Sequence, residues 1–241
     1  MKKNVGDRII IENASWSFGK KVPKKFDNHI KKSVPLYKES HDLAANLSDF
    51  FLKENSKCYD LGCSTGTLIR KISERHDKKI KFYGIDSVNE MISQANLLSK
   101  KNKNKSTNKL IFKVGNINKI KLQKNDLTLS FFTIQFIRPE IRQNLINKIY
   151  KSLNWGGCFL FFEKIRANDA RFQDIFNITY NEFKLNNNFT AEEIVQKTRS
   201  LKGVMEPFSE KGNLSMLKRA GFVDIIPIFQ WLCFKGYMCI K

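Results

Sequence analysis

The sequence has few side chains that hold metals or form disulfide bonds. Its 241 residues include five cysteines and three histidines, and no two cysteines have the C-x-x-C spacing. An odd, scattered set of this kind gives neither a disulfide framework nor, together with the histidines, a zinc-binding pattern. We therefore expect reduced thiols and no metal. The residues concerned are Cys58, Cys63, Cys158, Cys233, Cys239, His29, His41 and His76.

Long apolar runs are also missing. No stretch approaches the ~18 residues that a membrane-spanning helix requires. The first residues, Met1-Lys2-Lys3-Asn4-Val5, lack the apolar centre of a signal peptide. These absences predict a cytoplasmic protein without a membrane partner. Apolar residues make up 41% of the chain, which is enough to bury the core of one α/β domain.

Acidic residues are scarce. Lys and Arg number 43 against 23 Asp and Glu, for a formal charge of +20. Such a field attracts anionic partners such as nucleic acids or acidic metabolites. The chain is also rich in Lys, Asn, Ile and Phe, so compositional bias is a second explanation. The basic segment 100–109 likewise has two interpretations, a solvated connection or a strip that touches RNA phosphates, and it contains no aromatic residue for base stacking.

Short apolar runs alternate with helical patterns along most of the chain. Runs that predict strands lie at residues 57–60, 79–86, 110–115, 126–132 and 158–163, and an antiparallel pair is predicted at 222–229 and 232–240. Strands that alternate with helices are typical of a parallel sheet that binds its ligand at the carboxyl ends of the strands. The sequence therefore predicts an α/β fold with a doubly wound, mostly parallel, seven-stranded sheet.

The chain shows no internal repeat and no flexible linker, so we expect a single domain, 1–241. Residues 1–55 predict a helical cap, residues 56–165 and 213–241 the core, and residues 166–212 a helical lid or dimerisation insert. A helix is expected from Pro139 to a C-cap at Trp155-Gly156-Gly157. In the insert, Thr190 and Glu193 predict a capping box, and one helical face is formed by Phe172, Ile175, Phe176, Thr179 and Phe183.

A glycine-containing turn follows the first of these strands. Residues 60–66 read D-x-G-x-S-x-G, with Asp60 at the strand end and Gly62 and Gly66 in the turn. The glycines permit a turn that side chains would block, and they let backbone N–H groups approach a ligand closely. A dinucleotide-binding turn reads G-x-G-x-x-G, whereas Ser64 replaces its second glycine here, which argues against NAD.

A second acid supports a nucleoside site. Asp86 ends the next predicted strand, 20 residues past Gly66, where a βαβ unit places a carboxylate that accepts hydrogen bonds from ribose hydroxyls. The turn resembles motif I of the class I methyltransferases, which implies S-adenosyl-L-methionine (SAM) as the ligand, with Asp60 and the turn serving its methionine group. We interpret Cys63 in this turn as a small side chain beside the ligand, not as a nucleophile.

Further segments resemble one family in particular, the carboxy-S-adenosyl-L-methionine (carboxy-SAM) synthases, over nearly the whole chain from about Trp16 onward. They are K-S-V-P-L-Y at 32–37, Y-D-L-G-C-S at 59–64, Q-F at 135–136 with Pro139, I-Y at 149–150, L-N at 153–154 with G-G at 156–157, E-K at 163–164, and Leu217 with A-G-F at 220–222. The S-V-P-x-Y and D-L-G-C-S motifs together are far more specific than motif I alone.

The resemblance implies a reaction. Members of this family use SAM and prephenate to make carboxy-SAM and phenylpyruvate, and a partner enzyme then uses carboxy-SAM to modify wobble uridine in tRNA. The implied chemistry is deprotonation of the sulfonium methyl group to an ylide that captures the CO2 released from prephenate, in a water-poor pocket with cationic donors for carboxylates. We expect SAM, carboxy-SAM or S-adenosylhomocysteine as the bound cofactor, a homodimer, and tRNA contact through the basic surface.

The resemblance also implies roles for individual residues. Tyr37 is expected to close the site, and Arg199 in the lid to hold a substrate or product carboxylate. Asn116 can accept a hydrogen bond from the adenine amine through its amide oxygen. The residues expected to bind the cofactor are Tyr37, Asp60, Gly62, Cys63, Ser64, Gly66, Asp86, Ser87, Asn116, Ile117 and Phe131.

Four positions depart from the family pattern. Phe131 ends the fourth strand where the family has asparagine, Asn116 replaces an acid, and Lys32 replaces an arginine. In the lid, the family arginine directly follows a lysine, whereas here a threonine follows Lys197 and Arg199 lies one place further. A shift of one residue turns a helical side chain by about 100°, and lysine does not reproduce the planar arginine fork.

Two other functions remain open on the sequence. The first is a conventional SAM-dependent methyltransferase for a small molecule or tRNA, which works mainly by positioning an acceptor in line with the methyl group. The second is a SAM- and RNA-binding protein without turnover, suggested by the charge of +20.

Overall fold

The computed structural model describes residues 3–7, 9–11, 22–101 and 108–241. The strands are β1 (Lys3–Asn4), β2 (Ile10–Ile11), β3 (Lys57–Leu61), β4 (Lys81–Asp86), β5 (Lys109–Val114), β6 (Asn125–Phe131), β7 (Leu153–Lys164), β8 (Asp224–Trp231) and β9 (Phe234–Ile240). The α-helices are α1 (Val22–Ser33), α2 (Tyr37–Ser48), α3 (Thr67–Arg75), α4 (Asn89–Lys101), α5 (Pro139–Ser152), α6 (Ala170–Asn186), α7 (Ala191–Leu201) and α8 (Glu210–Ala220). A short 3-10 helix spans Ile134–Phe136.

The central sheet has seven strands in the order β5-β4-β3-β6-β7-β9-β8. The strands from β5 to β7 run parallel, and β9 is antiparallel to both β7 and β8. This arrangement confirms the predicted doubly wound, mostly parallel sheet. The strand order reverses between β3 and β6, so a crevice opens at the carboxyl ends of these strands.

Side chains of β7 alternate between two apolar layers. Leu160 and Phe162 pack in a cluster with residues of α2 and α3, whereas Phe159 and Phe161 pack in a cluster with residues of α5 and α8. All four are fully buried. Burial on both faces explains why this strand is a continuous apolar run in the sequence. Burying each phenylalanine contributes about 1.5–3 kcal/mol.

Helix α5 begins at Pro139 as predicted, but the predicted C-cap at 155–157 is wrong. The helix ends at Ser152, and β7 starts at the next residue. The N–H of Gly156 donates to the carbonyl of Lys241 at 2.8 Å, which keeps this segment in the sheet. Gly156 has a φ of +75°, and it lies in the irregular first part of β7 instead of ending a helix. Trp155 beside it is 88% exposed.

The insert contains α6, α7 and the start of α8. The predicted capping box at Thr190 and Glu193 is confirmed. The apolar face predicted on α6 is divided, because Phe176 packs against the core whereas Phe172 and Ile175 are more than half exposed.

No helix in the described ranges has the length and apolar character needed to cross a membrane. Within the same ranges, no group of three or more His, Cys, Asp or Glu is arranged to hold a metal ion. The five cysteines are free and buried. Residues 102–107 of the predicted basic segment lie outside the described residues, so neither interpretation of that segment is tested.

Candidate active site

A cavity of about 920 Å³ lies at the carboxyl ends of the parallel strands. Its walls come from α1, α2, the turn after β3, the ends of β4 to β7, and the insert. The volume falls within the roughly 300–1,000 Å³ of small-molecule sites. The structure brings together most of the predicted residues here, namely Tyr37, Asp60, Gly62, Cys63, Ser64, Asp86, Ser87, Asn116, Ile117 and Phe131. Gly66 and Arg199 are not among the lining residues.

The turn after β3 requires glycine at position 62. Gly62 has a φ of +82°, and a Cβ atom there would lie 2.3 Å from the side chain of Thr133. Its N–H and that of Cys63 both donate to the carbonyl of Ile85, at 2.8 and 3.0 Å. The turn is therefore held against β4, with Ser64 at its tip in the left-handed region at φ +49°.

Gly66 packs at the end of this turn and is not among the residues that line the cavity, so its contact with the cofactor stays a prediction. It has a φ of +73° at the N-cap of α3, and an added Cβ would lie 2.5 Å from the ring of Phe112. The glycine is needed because the turn closes against β5 at this point.

Asp86 holds the turn from the neighbouring strand. Its carboxylate accepts hydrogen bonds from the backbone N–H of Ser64 and of Val88, both at 2.9 Å. Burial raises the pKa of Asp86, and these backbone hydrogen bonds oppose that shift. An ionised carboxylate has about four acceptor positions, so Asp86 retains capacity for ligand hydroxyls.

Asp60 is a buried carboxylate that faces the cavity. It is 3% exposed, and no donor in the described part of the chain lies within hydrogen-bonding distance of its side chain. Burial, and then the charge of Asp86, raise the pKa of Asp60 to about 7. A buried acid without a partner is costly, and a cationic ligand group would remove that cost.

The turn after β5 offers two amides. Asn116 is exposed, and its Oδ1 already accepts the backbone N–H of Asn118 at 2.9 Å. The Oδ1 of Asn118 is buried and has no donor among the described residues. Asn118 also lines the cavity, but its Oδ1 is shielded from the cavity in this side-chain conformation, so the contact of Asn116 with the adenine amine stays a prediction.

An aromatic wall forms the middle of the cavity. The His41 ring lies 4.2 Å from the Tyr37 ring and 5.4 Å from the Phe131 ring, and Phe131 stacks on Phe162 at 4.1 Å. Burial, followed by the charge of Lys71, lowers the pKa of His41 to about 3, so its ring is neutral. Burial also raises the pKa of Tyr37. Sequence reasoning missed His41, although it lies one helical turn after Tyr37 on the same face.

Helix α7 turns Lys197 and Thr198 toward the cavity and leaves Arg199 exposed. The structure therefore does not bring Arg199 to the cavity of its own chain. The physical reason is the rotation of about 100° per helical residue. The position that directly follows the lysine, where the family has arginine, carries Thr198.

Lys197 belongs to a buried polar network with α1. The Oδ2 atom of Asp7 lies 2.9 Å from Nδ1 of His29, and a carboxylate only accepts, so Nδ1 carries the hydrogen. Nε2 of His29 then accepts from Lys197 at 2.7 Å, and Oγ of Ser33 accepts a second hydrogen bond from Lys197 at 2.7 Å. Burial, and then the charge of Lys197, lower the pKa of His29 to about 4.

Comparison with known sequences identifies relatives. A profile of the family described as "Methyltransferase domain" matches residues 59–157. A carboxy-S-adenosyl-L-methionine synthase of Staphylococcus epidermidis is 34% identical over 227 residues, covering 94% of this chain and 97% of that protein. A synthase of the same name from Campylobacter lari is 32% identical over 227 residues, covering 94% of each chain.

Solved structures share the fold. Human N-acetylserotonin methyltransferase in complex with SAM has a TM-score of 0.60 at 18% identity, covering 91% of this chain and 56% of that one. A SAM-dependent methyltransferase from Methanosarcina mazei has a TM-score of 0.60 at 16% identity, covering 81% of this chain and 96% of that one. These likenesses confirm the predicted Rossmann-like methyltransferase fold.

Proposed function

The chain belongs to the carboxy-S-adenosyl-L-methionine synthase family, and from this premise we propose that it converts SAM and prephenate into carboxy-SAM and phenylpyruvate. In the balanced reaction, prephenate loses CO2 and hydroxide as its ring becomes aromatic. The CO2 carbon forms a bond to the former methyl carbon of SAM, whose released proton joins the hydroxide as water. Bound SAM supplies an activated methyl group on a sulfonium ion.

The observation that carries this proposal is the unpartnered carboxylate of Asp60. It lies buried at the end of β3 and faces the cavity, where it can accept hydrogen bonds from the ammonium group of the methionine part. Asp86 has acceptor capacity for ribose hydroxyls, and the amide side chains of Asn116 and Asn118 belong to the cavity lining at the end of the next strand. The residues present therefore fit SAM.

The aromatic wall acts on the reacting centre. Tyr37, His41 and Phe131 are uncharged and packed against one another, so they exclude water that would otherwise protonate or hydrolyse reactive species. Their ring faces also favour a neighbouring cation such as a sulfonium group.

The direct test is incubation of purified protein with SAM and prephenate, followed by mass spectrometry. Carboxy-SAM and phenylpyruvate should form together, and Asp60→Ala should abolish both products because it removes the ammonium partner. Absence of carboxy-SAM with wild-type protein that binds SAM would overturn carboxyl transfer.

Two substitutions favour an alternative function, conventional methyl transfer. Phe131 replaces the family asparagine beside the cofactor, and Thr198 replaces the family arginine in the lid, so two polar groups of the family site are missing. S-adenosylhomocysteine that accumulates with a small-molecule or tRNA acceptor, without carboxy-SAM, would support this alternative.

We also propose a homodimer formed through the insert. The support is an exposed apolar stripe on α6, formed by Phe172, Ile175, Ile178 and Leu185. Ile178→Glu should convert a dimer to a monomer in light-scattering measurements, and a wild-type monomer would contradict the proposal.

Contact with tRNA is a separate proposal that rests on the charge of +20. It predicts binding that weakens steeply with salt. Absent or salt-insensitive tRNA binding would remove it.

A further inference from the structure

The cavity has a second, basic end. Lys164 ends β7, Lys184 lies on α6 and Lys197 on α7, and all three line the cavity. We call these residues the lysine cluster. Lys184 is 4% exposed and Lys197 9% exposed, so both side chains are largely shielded from bulk water, and Nζ of Lys197 is held by His29 and Ser33.

Two members of the cluster share one aromatic ring. The Nζ atoms of Lys164 and Lys184 each lie 4.3 Å from the centroid of the Tyr180 ring. The Tyr180 hydroxyl donates to the carbonyl of Ser33 at 2.7 Å, which fixes the ring. The ring therefore holds both ammonium groups at the cavity wall.

The charge of these two lysines is not neutralised by the protein. In the described ranges, no carboxylate lies within ion-pair distance of Nζ of Lys164 or Lys184. An aromatic face attracts a cation but carries no net charge, and buried charges are normally paired. Burial, and then the charge of Lys164, lower the pKa of Lys184 to about 8, which agrees with a missing anion.

The cluster is separate from the adenosyl end. Asp60 of β3 pairs with Leu129 of β6, which in turn pairs with Leu160 of β7. Two strand spacings, roughly 10 Å, therefore separate β3 from β7. Phe131 lies on the intervening strand, and Lys164 extends four residues beyond Leu160 toward the cavity. An anion at the cluster would thus lie beside the aromatic wall, across from the methionine part of SAM.

We propose that Lys164 and Lys184, held by Tyr180 and flanked by Lys197, form the subsite that binds the carboxylates of the second substrate. The choice of a dicarboxylate rests on the proposed function. The cluster supplies cations that Thr198 and the exposed Arg199 do not supply within this chain. The geometry requires no new covalent step, since the lysines bind and orient the substrate.

The test measures binding of two ligands to the same protein by calorimetry. S-adenosylhomocysteine reports on the adenosyl end, and prephenate or phenylpyruvate, added to protein saturated with S-adenosylhomocysteine, reports on the cluster. Lys164→Met and Lys184→Met should each weaken prephenate binding by about tenfold or more, the value expected for loss of one charged hydrogen bond. Both should leave S-adenosylhomocysteine affinity within twofold, which also shows that the variants fold.

Matched variants separate charge from packing. Lys218→Met removes one exposed lysine of α8 outside the cavity and should leave both affinities unchanged. Lys184→Arg keeps the charge and should retain more prephenate affinity than Lys184→Met.

The outcomes distinguish the subsite from the reaction. Lysine-dependent binding of prephenate or phenylpyruvate without carboxy-SAM formation supports the subsite and overturns the reaction. Carboxy-SAM formation with an unchanged prephenate KM in both methionine variants supports the reaction and overturns the subsite. Wild-type protein that binds S-adenosylhomocysteine but neither carboxylate overturns both.

Discussion

Oδ1 of Asp27 in α1 accepts a hydrogen bond from the Thr65 hydroxyl at 2.8 Å. The same oxygen accepts from the Thr67 hydroxyl at 2.9 Å, and Nη1 of Arg70 donates to the carbonyl of Thr65. One carboxylate of the cap thus fastens the turn that lines the cavity. The conformation of the turn depends on a residue some 40 positions earlier in the chain.

Asp27→Ala should weaken both the fold and the site. It removes two hydrogen bonds to a charged group, and we expect a loss of about 2 kcal/mol in the free energy of unfolding. S-adenosylhomocysteine affinity should fall as well, because the turn loses its support. Urea unfolding and calorimetry measure the two effects. As a control, Asp42→Ala breaks the half-exposed pair with Lys71 and should cost at most about 1 kcal/mol with unchanged ligand affinity. Equal effects of the two variants would contradict a specific role for Asp27.

Gly62→Ala should impair ligand binding more than a matched glycine substitution elsewhere. Gly62 and Gly156 both have positive φ, so alanine at either is strained by about 1 kcal/mol. Only at Gly62 would the new Cβ meet a side chain, that of Thr133, whereas nothing lies within 4 Å at Gly156. Thermal unfolding and S-adenosylhomocysteine titration of both variants check this. Similar losses would show that backbone strain, not the close approach, governs the turn.

Ligand affinity should depend on the ionisation of Asp60. The folded-state pKa of Asp60, about 7, lies above the ordinary value of 3.8. The free energy of unfolding of the ligand-free protein therefore falls as pH rises from 3.8 to about 7. A cationic ammonium group favours the ionised form, and S-adenosylhomocysteine affinity should therefore rise from pH 5 to about pH 7 and then level off.

Calorimetry across this pH range measures the effect. Asp60→Asn should bind weakly with a flat profile. Methylthioadenosine lacks the amino acid part, so its affinity should not show the rise. A parallel rise with methylthioadenosine would assign the pH dependence to another group.

Lys197 should make the free energy of unfolding depend on pH above about pH 7. Burial, and then the charges of Lys184 and Lys164, lower the folded pKa of Lys197 from 10.5 to about 7. The unfolded chain therefore binds the proton more strongly between these values, and the lysine contribution to the free energy of unfolding rises with pH from about 7 toward 10.

The difference between wild type and Lys197→Met isolates this contribution. It should grow in favour of wild type between pH 7 and 9.5, by at most about 1.4 kcal/mol per pH unit, in denaturant unfolding. Lys218→Met, an exposed control, should show no such trend. A constant difference for Lys197→Met would contradict the lowered pKa.

The sheet and its acidic strand ends were predictable because the information is local. Buried parallel strands are apolar runs, and Asp60 and Asp86 directly follow or end such runs. The helix end at Ser152 was not predictable in this way, because Gly156 pairs with Lys241, a contact across 85 positions. Gly156 and Gly157, a pair that is typical of a helix C-cap, lie in β7 instead.

The basic end of the cavity depends on tertiary packing. Lys184 and Lys197 lie on two different helices, and nothing in their local sequence separates them from the other lysines of this chain. Tyr180 and Lys184 have the i, i+4 spacing of facing helical residues, which was a usable signal, as was the position of Lys164 at a strand end. Arg199 was selected through the resemblance, and a shift of one helical position removed it from the cavity.

The insert and the cap share a hydrogen-bonded seam. Lys197 of α7 donates to His29 and Ser33 of α1, and Tyr180 of α6 donates to the Ser33 carbonyl. Each of these hydrogen bonds joins residues more than 140 positions apart in the chain. Because all three end on α1, a shift of that helix is transmitted to α6 and α7 together, including the cavity residues that these two helices carry.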